Sequence, residues 1–433
     1  MEIGNDYGGD CTMLPLDIFS TRMRQEEIVQ GAWEKITPTN SVEDINPIVE
    51  FLIKGNNMFI DMNNCYIETK LRIKNSDNSN LAVDDAVSVI NYFGATLFNQ
   101  VEMYLNNDHI ATVANYAYRS YLECLLSFNE KAKSTWLQAG LFYKDTHRHH
   151  DALTNDNTGF RFRKGFINQS RSAQMISKLH CDLFNQCRML LNQVNVKLIF
   201  TRNTDAFCLL AANAANVKIE IEEISLYVRR ATLADHKFTE INETINKQDA
   251  KYFIPRVRVK AFTCAAGQRN VEIRNQLSAP DLPTRIVVAM VSNSAYSGQK
   301  ALNPFKFQHY NISSVNITVD SKCVFAKPLS LDMANTNYLP AYWNLMLAMG
   351  YVGRNDGCDI SRNEYDNGYF LLAADLTSTL SDGTYDDPIQ TGNLDVELTF
   401  AEALPETITV LIYAEYGNTI KINGMRKAIP NFK

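Results

Sequence analysis

The sequence lacks every short motif that would announce a catalyst. No GxSxG elbow, P-loop, GxGxxG or HExxH occurs in its 433 residues, so neither the strained nucleophile turn nor the phosphate cradle those motifs build is expected. Residues 356–359 (DGCD) do not have the ligand spacing of a calcium loop and read as a turn. Cys264 precedes Ala265-Ala266-Gly267, but no base stands near it in the sequence, and a buried structural thiol is expected there. The chain is therefore expected to have no enzymatic activity and no cofactor.

Other absences narrow the class further. No stretch approaches the roughly 20 apolar residues of a membrane helix, and residues 1–10 have neither a basic nor an apolar leader region, so neither membrane insertion nor secretion is expected. A formal charge of −6 creates no field that would draw the folded body to nucleic acid or anionic lipid. The nine cysteines are scattered and odd in number, and the closest pair, Cys181 and Cys187, has five residues between its members. That pattern fits neither a zinc ribbon nor a disulfide scaffold; reduced, mostly buried thiols and synthesis inside a cell are expected. Four N-x-S/T sequons, at Asn168, Asn242, Asn311 and Asn316, carry no meaning without a secretory route.

What is present is a large interior and a great deal of strand. Apolar residues make up 45%, with 22 Phe and 20 Tyr, and the length favours two domains. Ile67, Thr69, Leu71 and Ile73 alternate with Glu68, Lys70, Arg72 and Lys74, the period of two that marks a strand with one buried face. A second apolar face, Val217, Ile219 and Ile221, changes phase at Glu222-Glu223 and resumes at Ile224, Leu226 and Val228, which predicts a bulge. Helical periodicity is scarce; the best segments are 118–128 and 341–349, the latter behind Pro340.

The order of elements occurs twice. Residues 100–105 (QVEMYL) lead through Asn106-Asn107-Asp108 to the first helical segment, and residues 314–319 (SVNITV) lead through Asp320-Ser321-Lys322 to the second. Late in each half stand NVKLIF (195–200) and DVELTF (395–400). Two copies of one β-domain account for this better than a short-period solenoid. Many short strands with Gly, Asn and Pro turns favour sandwiches or barrels of the jelly-roll kind.

Several segments then resemble a known family. Residues 15–33 (PLDIFSTRMRQEEIVQGAW), Pro47-Ile48-Val49-Glu50-Phe51, Gly55-Asn56, Phe59-Ile60-Asp61, residues 91–106 (NYFGATLFNQVEMYLN), residues 117–126 (AYRSYLECLL) and Tyr413-Ala414-Glu415-Tyr416-Gly417-Asn418 are similar to the major capsid proteins of adintoviruses and Polinton (Maverick) elements. The likeness is dense over 15–145 and thinner later, and this chain departs from it by inserting Val49. The resemblance implies an all-β fold: a double jelly roll, two eight-stranded sandwiches in tandem with short helices in loops. The expected parts are an arm (1–44), a first jelly roll (45–230), a linker (231–250), a second jelly roll (251–416) and a tail (417–433).

It also implies a structural subunit that forms pseudo-hexagonal homotrimers, tiles an icosahedral DNA-virus shell in the virion, and meets a minor capsid (penton) protein. The alternatives are a carbohydrate- or receptor-binding β-sandwich, a cupin-type enzyme or a minor capsid protein. A cupin needs clustered His and a carboxylate on strands, which the seven His do not supply, and the two matched halves argue against a single-domain minor protein.

The candidate interaction residues are few. Trp33 is an apolar residue of the arm that needs a partner surface, as do Leu14, Leu16, Ile18 and Phe19. Lys421, Arg426, Lys427 and Lys433 give the tail four bases and no acid, which suits weak contact with packaged double-stranded DNA. Arg161-Phe162-Arg163-Lys164 is a second basic run, expected to be solvated, docked on a partner or in transient contact with DNA. His147, His149 and His150, flanked by Asp145 and Asp151, are expected to form an exposed loop without metal. The two termini are expected to act between capsomers while the sandwiches hold the trimer.

Overall fold

A computed structural model describes residues 24–41, 47–277, 281–377 and 388–432. Sixteen of its strands form two matching sets of eight. The first set is β1 (Ile28–Ile36), β2 (Ile48–Ile53), β3 (Phe59–Asn75), β4 (Phe98–Leu105), β5 (Asp108–Val113), β6 (Ala173–Lys178), β7 (Val196–Arg202) and β8 (Val217–Leu233). The second is β9 (Ala250–Cys264), β10 (Asn270–Arg274), β11 (Arg285–Ser292), β12 (Ile312–Val319), β13 (Lys322–Cys323), β14 (Leu371–Asp375), β15 (Leu394–Phe400) and β16 (Ile408–Ile422).

The first half builds the sheets β1-β8-β3-β6 and β2-β7-β4-β5; the second builds β9-β16-β11-β14 and β10-β15-β12-β13, to which a short strand pairing with β12 is added. Advancing every strand of the first half by eight gives the second. Each half is an eight-stranded jelly roll, and the chain is a double jelly roll as expected. NVKLIF and DVELTF lie on β7 and β15, the equivalent second strands of their sheets. The turns β4–β5 and β12–β13 also match. Asn106-Asn107 and Asp320-Ser321 all have positive φ, the backbone of a tight two-residue hairpin.

Local chemistry explains the elements. On β3, Ile67, Thr69, Leu71 and Ile73 are buried and Lys70 is exposed, as the alternation requires. The register of β8 against β3 shifts between Ile221 and Glu223, so the expected bulge sits at the phase change. The inserted Val49 is taken into the alternation of β2, where Val49, Phe51 and Ile53 all point inward. Phe51 and Phe98 meet Phe200 at 5.9 and 4.9 Å between ring centroids, tying the inner faces of β2, β4 and β7 together.

Four longer helices occupy the connections: α1 (Tyr116–Ser127), α2 (Thr158–Ile167), α3 (Asp235–Ile245) and α4 (Leu339–Ala348). The helices expected over 118–128 and 341–349 are α1 and α4, each starting two residues early, and Pro340 stands in the first turn of α4. The segment expected as a linker, 231–250, carries the end of β8, then α3 and the start of β9.

The expected terminal segments are more structured than their sequence patterns suggest. Part of the arm expected over 1–44 is β1, hydrogen-bonded to β8 along its length. In the tail expected over 417–433, β16 runs on to Ile422, and β17 (Ala428–Pro430) folds back to pair with Ile420–Ile422. Leu14, Leu16, Ile18, Phe19 and Lys433 lie outside the described residues.

Candidate assembly interface

Where the two halves meet, several polar groups are buried. Asn157 caps α2 by accepting from the Phe160 amide, and the helix then turns Arg163 inward. Arg163 is fully buried, with Nη2 2.6 Å from Asp145 Oδ1 and Nε donating to the Val89 carbonyl at 2.8 Å. The Asp145 carboxylate also accepts from Asn157 (2.9 Å) and, across the junction, from Asn303 (3.0 Å). Tyr369 of the second half donates its hydroxyl to the Asp145 carbonyl at 2.6 Å. The basic run 161–164 is thus divided: Arg161 and Phe162 face solvent, while Arg163 is a structural ion of the junction and is unavailable to DNA.

The histidine segment is a loop, but only part of it is solvated. His149 is exposed, whereas His150 and Asp145 are 1% and 2% exposed. Burial of His150 follows from the chain's path between α2 and the second half, where its ring lies 4.8 Å from the Tyr369 ring. Among the described residues, neither ring nitrogen has a hydrogen-bond partner. Burial holds the imidazole down at about 4, against the opposing pull of Asp145 and Asp151, and Lys306 and Arg163 push the same way as burial. Gly368 makes the site possible: it has φ +111°, and a Cβ there would collide with the His150 ring. Among the described residues, no group of three or more His, Cys, Asp or Glu is placed to hold a metal ion.

A second buried network flanks the first. Arg119 on α1 is fully buried, 2.7 Å from Asp182, which in turn accepts from the Val257 amide of β9 at 3.1 Å. His180 lies 3.1 Å from Glu123 and 2.9 Å from the Tyr92 hydroxyl. Burial alone would raise the Glu123 carboxyl, but His180 and Arg119 beside it hold it at about 2. Cys124 Sγ is 3.8 Å from His180 Nε2, the arrangement of a thiol–imidazole couple, yet burial pushes that thiol well up and both groups are closed off from solvent. Cys264 is also buried, its thiol pushed up to about 11 by that burial.

The expected interaction residues divide. Trp33 on β1 is 53% exposed; its ring lies 5.4 Å from Tyr66, which stacks on Tyr227 at 4.9 Å. This aromatic row borders a groove of about 290 Å³ shared with Trp136 and Ile176. Lys421 and Lys427 are exposed. Arg426 is not. Its guanidinium is bound by the side chains of Asn192 (2.8 Å) and Asn242 (2.7 Å), and its carbonyl accepts from Asn106 at 2.9 Å. It is a clasp between the tail, the first half and α3. Arg426→Ala is expected to lower unfolding stability by about 1.5–3 kcal/mol, and Lys427→Ala to change it by less than about 0.5 kcal/mol. Equal effects in thermal or denaturant unfolding would contradict the clasp.

Sequence reasoning missed Asn115, Asn303 and Tyr369 as junction residues. Asn115 has φ 52° and does not cap α1 with its side chain; it instead donates to the Val259 carbonyl (3.1 Å) and accepts from Tyr296 (2.9 Å), both in the second half. From sequence an Asn ahead of a helix reads as an ordinary N-cap, so no local signal marked its contact with the second half.

No family model matches the sequence. The chain is 26% identical over 411 residues to the uncharacterized protein F54H12.2 of Caenorhabditis elegans, covering 92% of this chain and 93% of that one. Among solved structures it is similar to a chain of the Sputnik virophage, with TM-score 0.67 and 12% identity over 98% of this chain and 93% of that one. It is also similar to the mavirus major capsid protein, with TM-score 0.53 and 12% identity over 92% and 90%. No helix of the described residues is long and apolar enough to cross a membrane. Along nearly its full length, the chain has the double jelly-roll fold found in these viral proteins.

Proposed function

We propose that this chain is the major capsid protein of a DNA virus or element of the adintovirus and Polinton (Maverick) kind. Three copies form a pseudo-hexagonal capsomer, and capsomers tile an icosahedral shell closed at its vertices by a minor capsid (penton) protein. The subunit is made in the host cell, resides in the virion and catalyses no reaction. Among the described residues of the tail, Lys421 and Lys427 are exposed and suit weak phosphate contact with packaged DNA.

The observation that carries this reading is the doubling itself. Two jelly rolls with one strand order, in one chain, give three copies six similar units from which to build a ring. A full-length resemblance in fold to the mavirus major capsid protein supports the shell role. The nematode relative, matched over nearly the whole chain, supports an element that also resides in animal genomes.

Sedimentation at micromolar concentration is expected to give a homotrimer, and negative-stain images a pseudo-hexagonal outline. The subunit interface is expected to exceed roughly 2,000 Å², the scale of obligate assemblies. A folded monomer that persists at that concentration would overturn the reading.

A further inference from the structure

The chain builds one interface internally and, among the described residues, leaves both partners of an equivalent interface exposed. Helix α1 lies in the connection between β5 and β6 of the first half, and ten of its twelve residues are buried. Much of that burial is against the second half: Tyr118 stacks on Tyr296 at 5.7 Å, and Tyr121 on Phe305 at 4.1 Å. The edge strand it meets is β9, where Val257 and Val259 are 7% and 6% exposed.

Helix α4 lies in the corresponding connection of the second half, between β13 and β14. It reads LPAYWNLMLA, almost wholly apolar, yet only three of its ten residues are buried. Leu339, Trp343 and Leu347 recur every four residues on one face and are 47%, 54% and 53% exposed. The counterpart of β9 in the first half is β1, also an edge strand, and there Val29 and Trp33 are 70% and 53% exposed. Among the described residues, an apolar helix face lacks a sheet edge, and an aromatic sheet edge lacks a helix.

We infer that the exposed face of α4 seats on the β1 edge of a second copy of this chain, repeating between subunits the contact that α1 makes with β9 inside one. The pairing is heterologous, so successive copies join head to tail and stop when the ring closes. Exposed apolar residues grouped on matched elements are the surfaces that association removes from water. The inference rests on the capsomer reading and names the residues that hold the capsomer together.

The experiment uses the full chain. A photoreactive benzoylphenylalanine placed at position 343, in a mixture of ¹⁴N- and ¹⁵N-labelled protein, is expected to give cross-links between copies that map to residues 28–36. Separately, W343E with L347E, and W33E alone, are each expected to weaken self-association by about 100-fold or more while leaving the circular dichroism of the fold unchanged. If the parent chain is a monomer, the capsomer reading falls and this inference falls with it. If the parent is an oligomer whose cross-links map elsewhere, or whose assembly survives these substitutions, the capsomer reading stands and the seating of α4 on β1 is wrong. Should a glutamate variant fail to fold, the cross-link map alone decides, because the photoreactive side chain keeps an aromatic at position 343.

Discussion

Arg163→Ala is expected to lower the free energy of unfolding by about 3–5 kcal/mol, the usual cost of leaving a buried charge without its partner. The Asp145 carboxylate would remain 2% exposed with only the amides of Asn157 and Asn303 to satisfy it. The Val89 carbonyl would lose its donor as well. Replacing both members of the pair, Arg163→Met with Asp145→Leu, removes the stranded charge and is expected to cost less than the single change. Equilibrium unfolding in guanidinium chloride measures both. A single variant within about 1 kcal/mol of the parent would show that the pair is not what holds the junction.

Acid is the second large lever, and its direction follows from His150. The folded imidazole is held at about 4 against an ordinary 6.5, so the fold disfavours its charged form. The stability tied to the neutral ring is fully present above 6.5, declines as pH falls from 6.5 to 4, and is gone below 4. The whole span amounts to about 3 kcal/mol. A charged ring would face Asp145 and Asp151 but also Arg163 and Lys306, in a pocket that gives its nitrogens no acceptor.

His150→Leu removes the titration and is expected to flatten the decline between pH 6.5 and 4. The further loss below pH 4.5 remains, because Glu123, held at about 2, keeps its contribution above 4.5 and surrenders it as pH falls through 2. Denaturation midpoints at pH 7, 5.5 and 4.5 compare the two proteins. Parallel decline of parent and variant across that window would exclude His150 as the source.

The sequence showed most clearly those elements whose two faces see different surroundings. On β3 the alternation of Ile67, Leu71 and Ile73 with charges predicted both the strand and its buried side, and the phase change at Glu222-Glu223 predicted the bulge in β8. NVKLIF and DVELTF revealed the doubling because equivalent core positions demand similar side chains.

β1 escaped notice for the converse reason. Only Ile28, Gly31's neighbour Ala32 and Ile36 are even partly covered along it, a spacing of four that carries no strand signature. Arg163 escaped because a basic residue in the run Arg161-Phe162-Arg163-Lys164 looks the same whether it meets solvent or Asp145, and its partner is set by the path of a loop 18 residues away. His150 was read as exposed from its polar neighbours, yet Tyr369 and Gly368, over 200 residues further along, decide its burial. The α4 face was visible in LPAYWNLMLA as an apolar helix, and only the fold revealed that this face stays exposed among the described residues.

The clasp formed by Arg426 also bears on when the molecule becomes whole. Domains fold in order as a chain emerges from the ribosome, so the first sandwich has all its strands once β8 is out. Asn106 and Asn192 of that sandwich nevertheless wait for Arg426, which follows the whole second sandwich in the chain. A residue translated after both sandwiches therefore fastens the first half to α3 and the tail. A product that ends before Arg426, however well its first sandwich folds, leaves Asn106, Asn192 and Asn242 without this shared partner.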